Sequence, residues 1–90
     1  MHKYRVEVQL LKKFQKIKRK DIKSYNNIMQ KIREVVTSRS LDHYKNLKNK
    51  LKKYKRVHVN THFVLLFFYS LREACIVFED YQHHDIIYRK

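Results

Sequence analysis

The segment YKRVHVNTHFVLLFFY, residues 54–69, decides the fold, because two strand patterns follow each other across a turn. In the first half, Val57 and Val59 alternate with polar side chains, as in a strand that is buried on one face only. The second half, from His62 to Tyr69, is almost entirely apolar, which is typical of a central strand covered on both faces. Asn60 and Thr61 can make the turn between them, since Asn side chains support turn geometry without glycine. The segment predicts a β-hairpin in the middle of a sheet.

The N-terminal part of the chain predicts a short strand and two helices. Residues 4–8 alternate in hydropathy like a strand. A helix should follow, because apolar residues recur at helical spacing at Leu10, Leu11, Phe14 and Ile17. Asp21 is the expected N-cap of a second helix. The apolar stripe of that helix consists of Ile22, Tyr25, Ile28, Met29, Ile32, Val35 and Val36.

A further strand is expected at residues 73–79, followed by a polar tail with one apolar cluster at residues 86–88. Helices followed by a run of strands are typical of an α+β domain. We therefore expect a single domain over residues 1–90. In it, the N-terminal strand and an antiparallel two-helix hairpin pack on one face of a small antiparallel sheet, and the other face remains for function.

The charge of the chain points to a polyanionic partner. Lys and Arg number 22 against 8 Asp and Glu, which gives a net charge of +14 on 90 residues. Such self-repulsion favours binding to a nucleic acid, and an acidic protein would relieve it as well. The stretch between Asp42 and Glu73 has no acidic residue, and aromatic side chains interleave with its cations. This mixture is typical of a single-stranded RNA groove, although it does not indicate cleavage.

The remaining composition narrows the class of protein. The single cysteine, Cys75, lies in an apolar run and is expected to be a core residue. The longest apolar run is far shorter than the roughly 20 residues of a membrane-spanning helix. We expect a cytoplasmic protein without a secretory signal, and without a glycine-rich phosphate loop, since glycine is absent.

The histidines suggest chemistry beyond binding. His58 falls on the polar face of its predicted strand, and His84 lies in the C-terminal tail. If the tail folds back over the open face of the sheet, these two imidazoles could meet across one phosphate, as base and acid of RNA cleavage. Taken alone, however, a histidine in a sequence is more often a surface residue than a catalytic one. The high positive charge also opposes protonation of His84, so bound phosphates, Asp80 or Asp85 would have to favour its proton.

Two stretches resemble motifs of the RelE-superfamily toxins, closest to the YafQ branch. Residues 54–67 resemble the strand-turn-strand core of that branch, with a histidine in its second strand. Residues 78–88, FEDYQHHDIIY, resemble the terminal motif, in which a histidine or arginine is followed by Tyr or Phe. The resemblance implies a ribosome-dependent mRNA endonuclease that acts in the ribosomal A site without a cofactor. It also implies the toxin component of a type II toxin-antitoxin system, neutralised by a cognate antitoxin whose acidic segment wraps the basic face.

The resemblance also implies residue roles. His84 would be the general acid, His58 a base or a phosphate-orienting group, and Tyr88 would stack on a base or orient the RNA. The expected RNA-binding residues match the family only as a basic strand: Lys45, Lys52, Lys53, Lys55 and Arg56. Two departures leave the base open, because His62 replaces the acid in the turn and Lys45 replaces an upstream histidine. The base could therefore also be His62 or the nearby His43.

Two other interpretations compete with cleavage. His58 and His62 are four residues apart and His83 and His84 follow, but this spacing spans a predicted strand and turn, and no Cys pair or His-Glu-x-x-His motif accompanies it. We therefore expect no metal site. The second alternative is a non-catalytic basic binder, either a ParE-like gyrase inhibitor or a simple RNA- or DNA-binding module. Such a binder does not need the His58 and His84 pair.

Overall fold

A computed structural model describes residues 1–88, with side chains for all of these except Asn49 and Tyr88. The elements are β1 (Tyr4–Val6), α1 (Val8–Lys20), α2 (Ile22–Thr37), a 3-10 turn (Asn49–Leu51), β2 (Lys55–His58), β3 (Phe63–Ser70), β4 (Cys75–His83) and α3 (His84–Tyr88). The order of one strand, two helices and three strands was expected, whereas α3 was not. The sheet has the order β1-β4-β3-β2. The α+β fold class is confirmed, with one addition: β1 pairs parallel to β4, so the sheet is mixed.

The two long helices pack on one face of the sheet and bury most of the core. Leu10 and Phe14 of α1, together with Ile28 of α2, lie against the sheet residues Leu65, Phe67, Ile76 and Phe78. As expected, Asp21 caps α2, because its carboxylate accepts a hydrogen bond from the Ser24 backbone N–H at 3.1 Å. The central strand is covered on both faces, since residues 64–67 are all buried.

Two residues of the expected helix stripes are exposed. Leu11 is 46% exposed and Ile22 is 54% exposed, so their placement in the core was wrong. At 3.6 residues per turn, Leu11 lies about 100° around the helix from Leu10, and Ile22 lies about 120° from Ile28. Both therefore fall outside the stripe that faces the sheet.

The opposite face of the sheet is partly covered by a smaller apolar cluster. Val64 and Leu66 of β3 contact Leu47 from the loop before β2 and Ile87 from α3. Ile87 is only 2% exposed, so the C-terminal segment folds back on this face, which is the condition that a meeting of His58 and His84 required. This face is available for function only where the small cluster leaves it open.

The last strand is longer than expected and contains a β-bulge. The sequence pattern ended this strand at Glu79, but β4 continues to His83. Leu66 pairs with Asp80, whereas the next residue, Phe67, pairs with Phe78, so Glu79 is an extra residue on β4. The bulge resets the alternation of side chains beyond it.

Side-chain hydrogen bonds form both tight turns, as expected for a chain without glycine. Asn60 Oδ1 accepts from the backbone N–H of His62 at 2.9 Å and of Phe63 at 3.0 Å. Ser70 Oγ accepts from the Glu73 N–H at 3.1 Å. Cys75 is buried at the start of β4. Among residues 1–88, none of the helices combines the length and the apolar character that crossing a bilayer requires.

A matched pair of substitutions in α2 tests which face of this helix is buried. Ile28→Val should lower the free energy of unfolding by about 1 kcal/mol, because it removes a methylene from a fully buried site. Ile22→Val makes the same change at an exposed site and should stay within about 0.5 kcal/mol of the unmodified protein. Urea denaturation followed by circular dichroism measures both. Equal losses would contradict the orientation of α2.

Candidate active site

The sheet register brings the site together on the face opposite α1 and α2. His58 of β2 pairs with Val64 of β3, and Val64 pairs with Gln82 of β4. Side chains of directly paired residues point to the same face, so this row crosses three strands on one side of the sheet. His84 follows two residues after Gln82, at the start of α3.

The imidazole of His58 is tuned toward its neutral form. Although the residue is solvent-exposed overall, partial burial of its ring is the largest reason that its pKa lies below 6.5. Repulsion from Arg56 and then from His84 lowers this pKa further. His84 is therefore within electrostatic range of His58. A neutral imidazole at neutral pH can accept a proton.

His84 is paired with a carboxylate. Its Nδ1 lies 3.0 Å from Asp85 Oδ1, and its side chain is 30% exposed. The sequence left two acids open for this position, Asp80 and Asp85. Asp80 binds Lys13 Nζ at 2.8 Å and Gln82 Nε2 at 3.1 Å instead. Asp85 is thus the acid that contacts the general-acid candidate.

A third and a fourth residue join this end of the sheet. The ring centroid of His62, in the β2–β3 turn, lies 5.5 Å from that of His83 and 6.1 Å from that of His84. The His84 backbone N–H donates to the His62 carbonyl at 2.8 Å, which fastens the turn to the end of β4. One ring nitrogen from each of the three histidines lies within 4.8 Å of the others. His83 was not predicted to be catalytic, because the only feature that singles it out in the sequence is its position next to His84.

His43, the other candidate base, lies elsewhere. Its ring packs on Tyr44 at 4.1 Å between centroids, and Tyr44 contacts Phe67 at 5.4 Å. Phe67 belongs to the core on the helix side. It lies about 13 Å along β3 from Phe63, the first residue of the strand, which directly follows His62. The fold thus brings His62, rather than His43, to His84.

The basic residues divide between structural and exposed positions. Lys55 was expected to bind RNA, but its Nζ donates to the Tyr44 carbonyl at 3.1 Å and to Asn46 Oδ1 at 3.0 Å. Its ammonium therefore holds the preceding loop against β2, and we assign it this structural role. Arg56 pairs with Leu66, and so lies on the same face as His58.

The other lysines that were expected to bind RNA lie in the loop before β2. Lys53 Nζ lies 4.9 Å from the ring centroid of Tyr54 and 4.7 Å from that of Phe68, and these cation–π contacts hold its charge at the rim. Lys45 and Lys52 are exposed in the same loop. Tyr88 ends α3, and its side chain lies outside the described residues, so its expected role stays a prediction.

Comparisons with known proteins agree with this architecture. No protein-family model matches the chain. A candidate toxin designated RelE4, from Methanocaldococcus jannaschii, is 37% identical over 89 residues, which cover 97% of this chain and 93% of the relative.

Two solved structures share the fold. The YoeB/ParE toxin from Agrobacterium tumefaciens gives a TM-score of 0.75 at 14% identity, and the match covers 91% of this chain and 98% of that one. A chain of the E. coli DinJ–YafQ toxin-antitoxin complex gives a TM-score of 0.69 at 19% identity, with 97% of both chains covered. From the full-length relative and this fold, we conclude that the chain belongs to the RelE/ParE superfamily of toxin-antitoxin toxins.

Proposed function

We propose that this toxin is an mRNA endonuclease that acts in the ribosomal A site and cleaves RNA through attack of its own 2′-hydroxyl. One observation carries the proposal: two electrostatically coupled imidazoles, one tuned neutral and one paired with a carboxylate, stand at the same end of the sheet. This pair supplies the proton acceptor and the proton donor that the reaction requires.

In the proposed reaction, His58 takes the proton of the 2′-hydroxyl, and the 2′-oxygen attacks the adjacent phosphorus. The bond from phosphorus to the 5′-oxygen breaks, and protonated His84 gives its proton to that oxygen. The products are a 2′,3′-cyclic phosphate and a free 5′-hydroxyl. Arg56 would stabilise the negative charge that develops on the phosphate oxygens.

Asp85 and the RNA would together favour the protonated form of His84. The chain carries a net charge of +14, which opposes a further positive charge on any imidazole. The Asp85 carboxylate lies 3.0 Å from His84 Nδ1, and the bound phosphates would add further negative charge beside the ring. The site is therefore completed by its substrate.

The other roles follow from position. His62 is the second candidate for the base, because its turn is fastened to His84 through the backbone. Tyr88 follows His84 by four residues, about one helical turn, and we propose that it stacks on an RNA base. Lys45, Lys52 and Lys53 would lead the RNA along the loop before β2.

We also propose a cognate antitoxin with an acidic segment. YafQ of E. coli is found in complex with DinJ, and the basic surface of this chain suits a partner of opposite charge. The activity would be exercised in the cytoplasm, where ribosomes are.

Replacement of the proposed acid tests the reaction. His84→Gln should lower the cleavage rate of translated mRNA by roughly 100- to 10,000-fold, the usual contribution of a general acid. His43→Gln is the matched control, because it removes an imidazole outside the site, and it should cleave normally. Fragment mapping with and without ribosomes, with end-group analysis for a 2′,3′-cyclic phosphate, measures the rate and identifies the chemistry.

Full cleavage by His84→Gln would remove His84 as the acid. If the unmodified protein leaves RNA intact and inhibits DNA gyrase, the ParE-like alternative replaces this proposal.

The salt dependence of RNA binding tests the RNA path. Lys52→Ala with Lys53→Ala should reduce the slope of log affinity against log salt by roughly 0.7 for each lost phosphate contact. Lys3→Ala with Lys23→Ala removes the same charge beside β1 and from α2, and should leave the slope nearly unchanged. Fluorescence anisotropy of a labelled single strand at several salt concentrations measures both. Equal slopes for the two double variants would place the RNA path elsewhere.

The electrostatic coupling at His58 can be measured directly. Arg56→Gln should raise the pKa of His58, because it removes a positive charge that disfavours the imidazolium. Arg72→Gln, in the β3–β4 turn, is the matched control and should leave this pKa unchanged. NMR titration of the imidazole resonances gives both values. A lower pKa of His58 in Arg56→Gln would contradict the arrangement of charges described above.

A further inference from the structure

We propose that His62, His83 and His84 form a binding site for a divalent transition-metal ion such as Zn²⁺, and that occupation of this site stops RNA cleavage. The binding site stands on its own geometry, whereas the effect on cleavage rests on the proposed function. One nitrogen from each imidazole lies within 4.8 Å of the other two.

The backbone already holds the three ligands at the right places. The His84 N–H to His62 carbonyl bond of 2.8 Å joins the turn to the end of β4. Asn60 Oδ1 accepts two backbone N–H groups and thereby fixes the turn that carries His62. His83 and His84 are adjacent in the chain. Ion binding therefore requires side-chain rotation and no rearrangement of the fold.

Ion binding would bring the three nitrogens closer together and reorient the rings. Zinc–nitrogen bonds of about 2.0–2.1 Å in a tetrahedral site put the ligand nitrogens roughly 3.4 Å apart. The rings stack with interplanar angles of 9° for His62 and His83 and 27° for His83 and His84. They must turn so that one nitrogen of each points to a common centre. His62 is exposed, and His83 and His84 are about one-third exposed, so solvent gives them room to turn.

Asp85 provides the carboxylate that metal-binding histidines commonly contact. Its Oδ1 lies 3.0 Å from His84 Nδ1, and its Oδ2 lies 3.8 Å from His83 Nδ1. A carboxylate at Nδ1 keeps the proton there, so that Nε2 carries the lone pair that a metal binds. The His83 ring nitrogen now accepts the Asp85 backbone N–H at 3.2 Å, and this bond would be replaced by one to the carboxylate.

Ligand chemistry selects the class of ion. Imidazole nitrogens suit Zn²⁺, Co²⁺, Ni²⁺ and Cu²⁺, whereas Mg²⁺ and Ca²⁺ prefer oxygen. Three protein ligands leave the fourth position of a tetrahedral ion to water. The net charge of +14 opposes any cation, but repulsion from distant lysines is screened beyond about 10 Å at 0.1 M salt. The nearby Asp85 carboxylate acts in the favourable direction.

The sequence argued against a metal because the four-residue spacing of His58 and His62 spans a strand and a turn, and no Cys pair or His-Glu-x-x-His motif accompanies it. The fold assembles a different set, which omits His58 and joins the turn to the end of β4. Coordination would occupy the His84 ring, which the proposed reaction needs for the RNA. A bound ion would therefore inhibit cleavage rather than assist it.

Cobalt titration of the full chain tests the site without any cleavage assay. One equivalent of Co²⁺ should produce the visible absorption of a tetrahedral ion, and Zn²⁺ should displace it. His62→Gln and His83→Gln should each abolish this signal, and Asp85→Asn should weaken binding by roughly 10- to 100-fold. His43→Gln should bind like the unmodified protein. Circular dichroism checks that each variant is folded.

NMR with Zn²⁺ provides a second measurement that needs no variant. The imidazole resonances of His62, His83 and His84 should shift together, while those of His2 and His43 stay in place. Absence of cobalt absorption, or its retention in both His62→Gln and His83→Gln, would overturn the metal site.

The effect on function is measured, for each protein, as the ratio of the cleavage rates with and without Zn²⁺. Zn²⁺ should suppress cleavage by the unmodified toxin, and a chelator should restore it, whereas cleavage by His83→Gln should be equal with and without Zn²⁺. Metal binding without this inhibition would overturn the regulatory half of the proposal. Cleavage by a protein that binds no Co²⁺ would overturn the metal site and leave the proposed function standing.

Discussion

The β-bulge at Glu79 is the constraint on which the rest of the site depends. Before it, Ile76 and Phe78 face the helices; after it, Tyr81 faces them and Gln82 faces away. Without the extra residue, strict alternation would turn residues 80 and 82 toward the helix-side core. That register would bury a carboxylate and an amide, and would carry His84 away from His58. The one extra residue thus keeps polar side chains out of the core and places the imidazole of His84 on the opposite face.

Packing of α3 then fixes the position of the segment that follows the bulge. Ile87 fits against Val64 and Leu66, and its burial holds the chain after β4 on the open side of the sheet. The same segment carries Asp85, which contacts the His84 ring. A small apolar cluster thereby serves as the support of a polar site. Removal of the Ile87 side chain would lose more than the stabilisation from its buried area, because the position of His84 also depends on this contact.

The sequence predicted the elements that local pattern controls. The apolar run of residues 64–67 required a central strand, Asp21 required a helix start, and Asn60 required a turn. It could not predict the end of β4, because a bulge breaks the period of two that identifies a strand. The sequence pointed to His62, His83 and His84 as possible ligands together with His58, but it could not show that these three meet, since that depends on the register between a turn and a strand end. The hydrogen bonds of Lys55 to Tyr44 and Asn46 could not be predicted either, because its charge is visible in sequence and its hydrogen-bond partners are not.

The same scarcity of acidic groups bears on both chemistries proposed for the site. In a chain with 22 cationic side chains, a carboxylate beside these imidazoles makes the local potential less positive. The two acids near the end of β4 are used differently: Lys13 neutralises Asp80 at 2.8 Å, whereas Asp85 lies against the histidines. Asp85 therefore places a negative charge beside both the proposed acid and the proposed metal ligands. Both proposals use the His84 ring, so an RNA that brings its own phosphates and an ion that brings its own positive charge would compete for it.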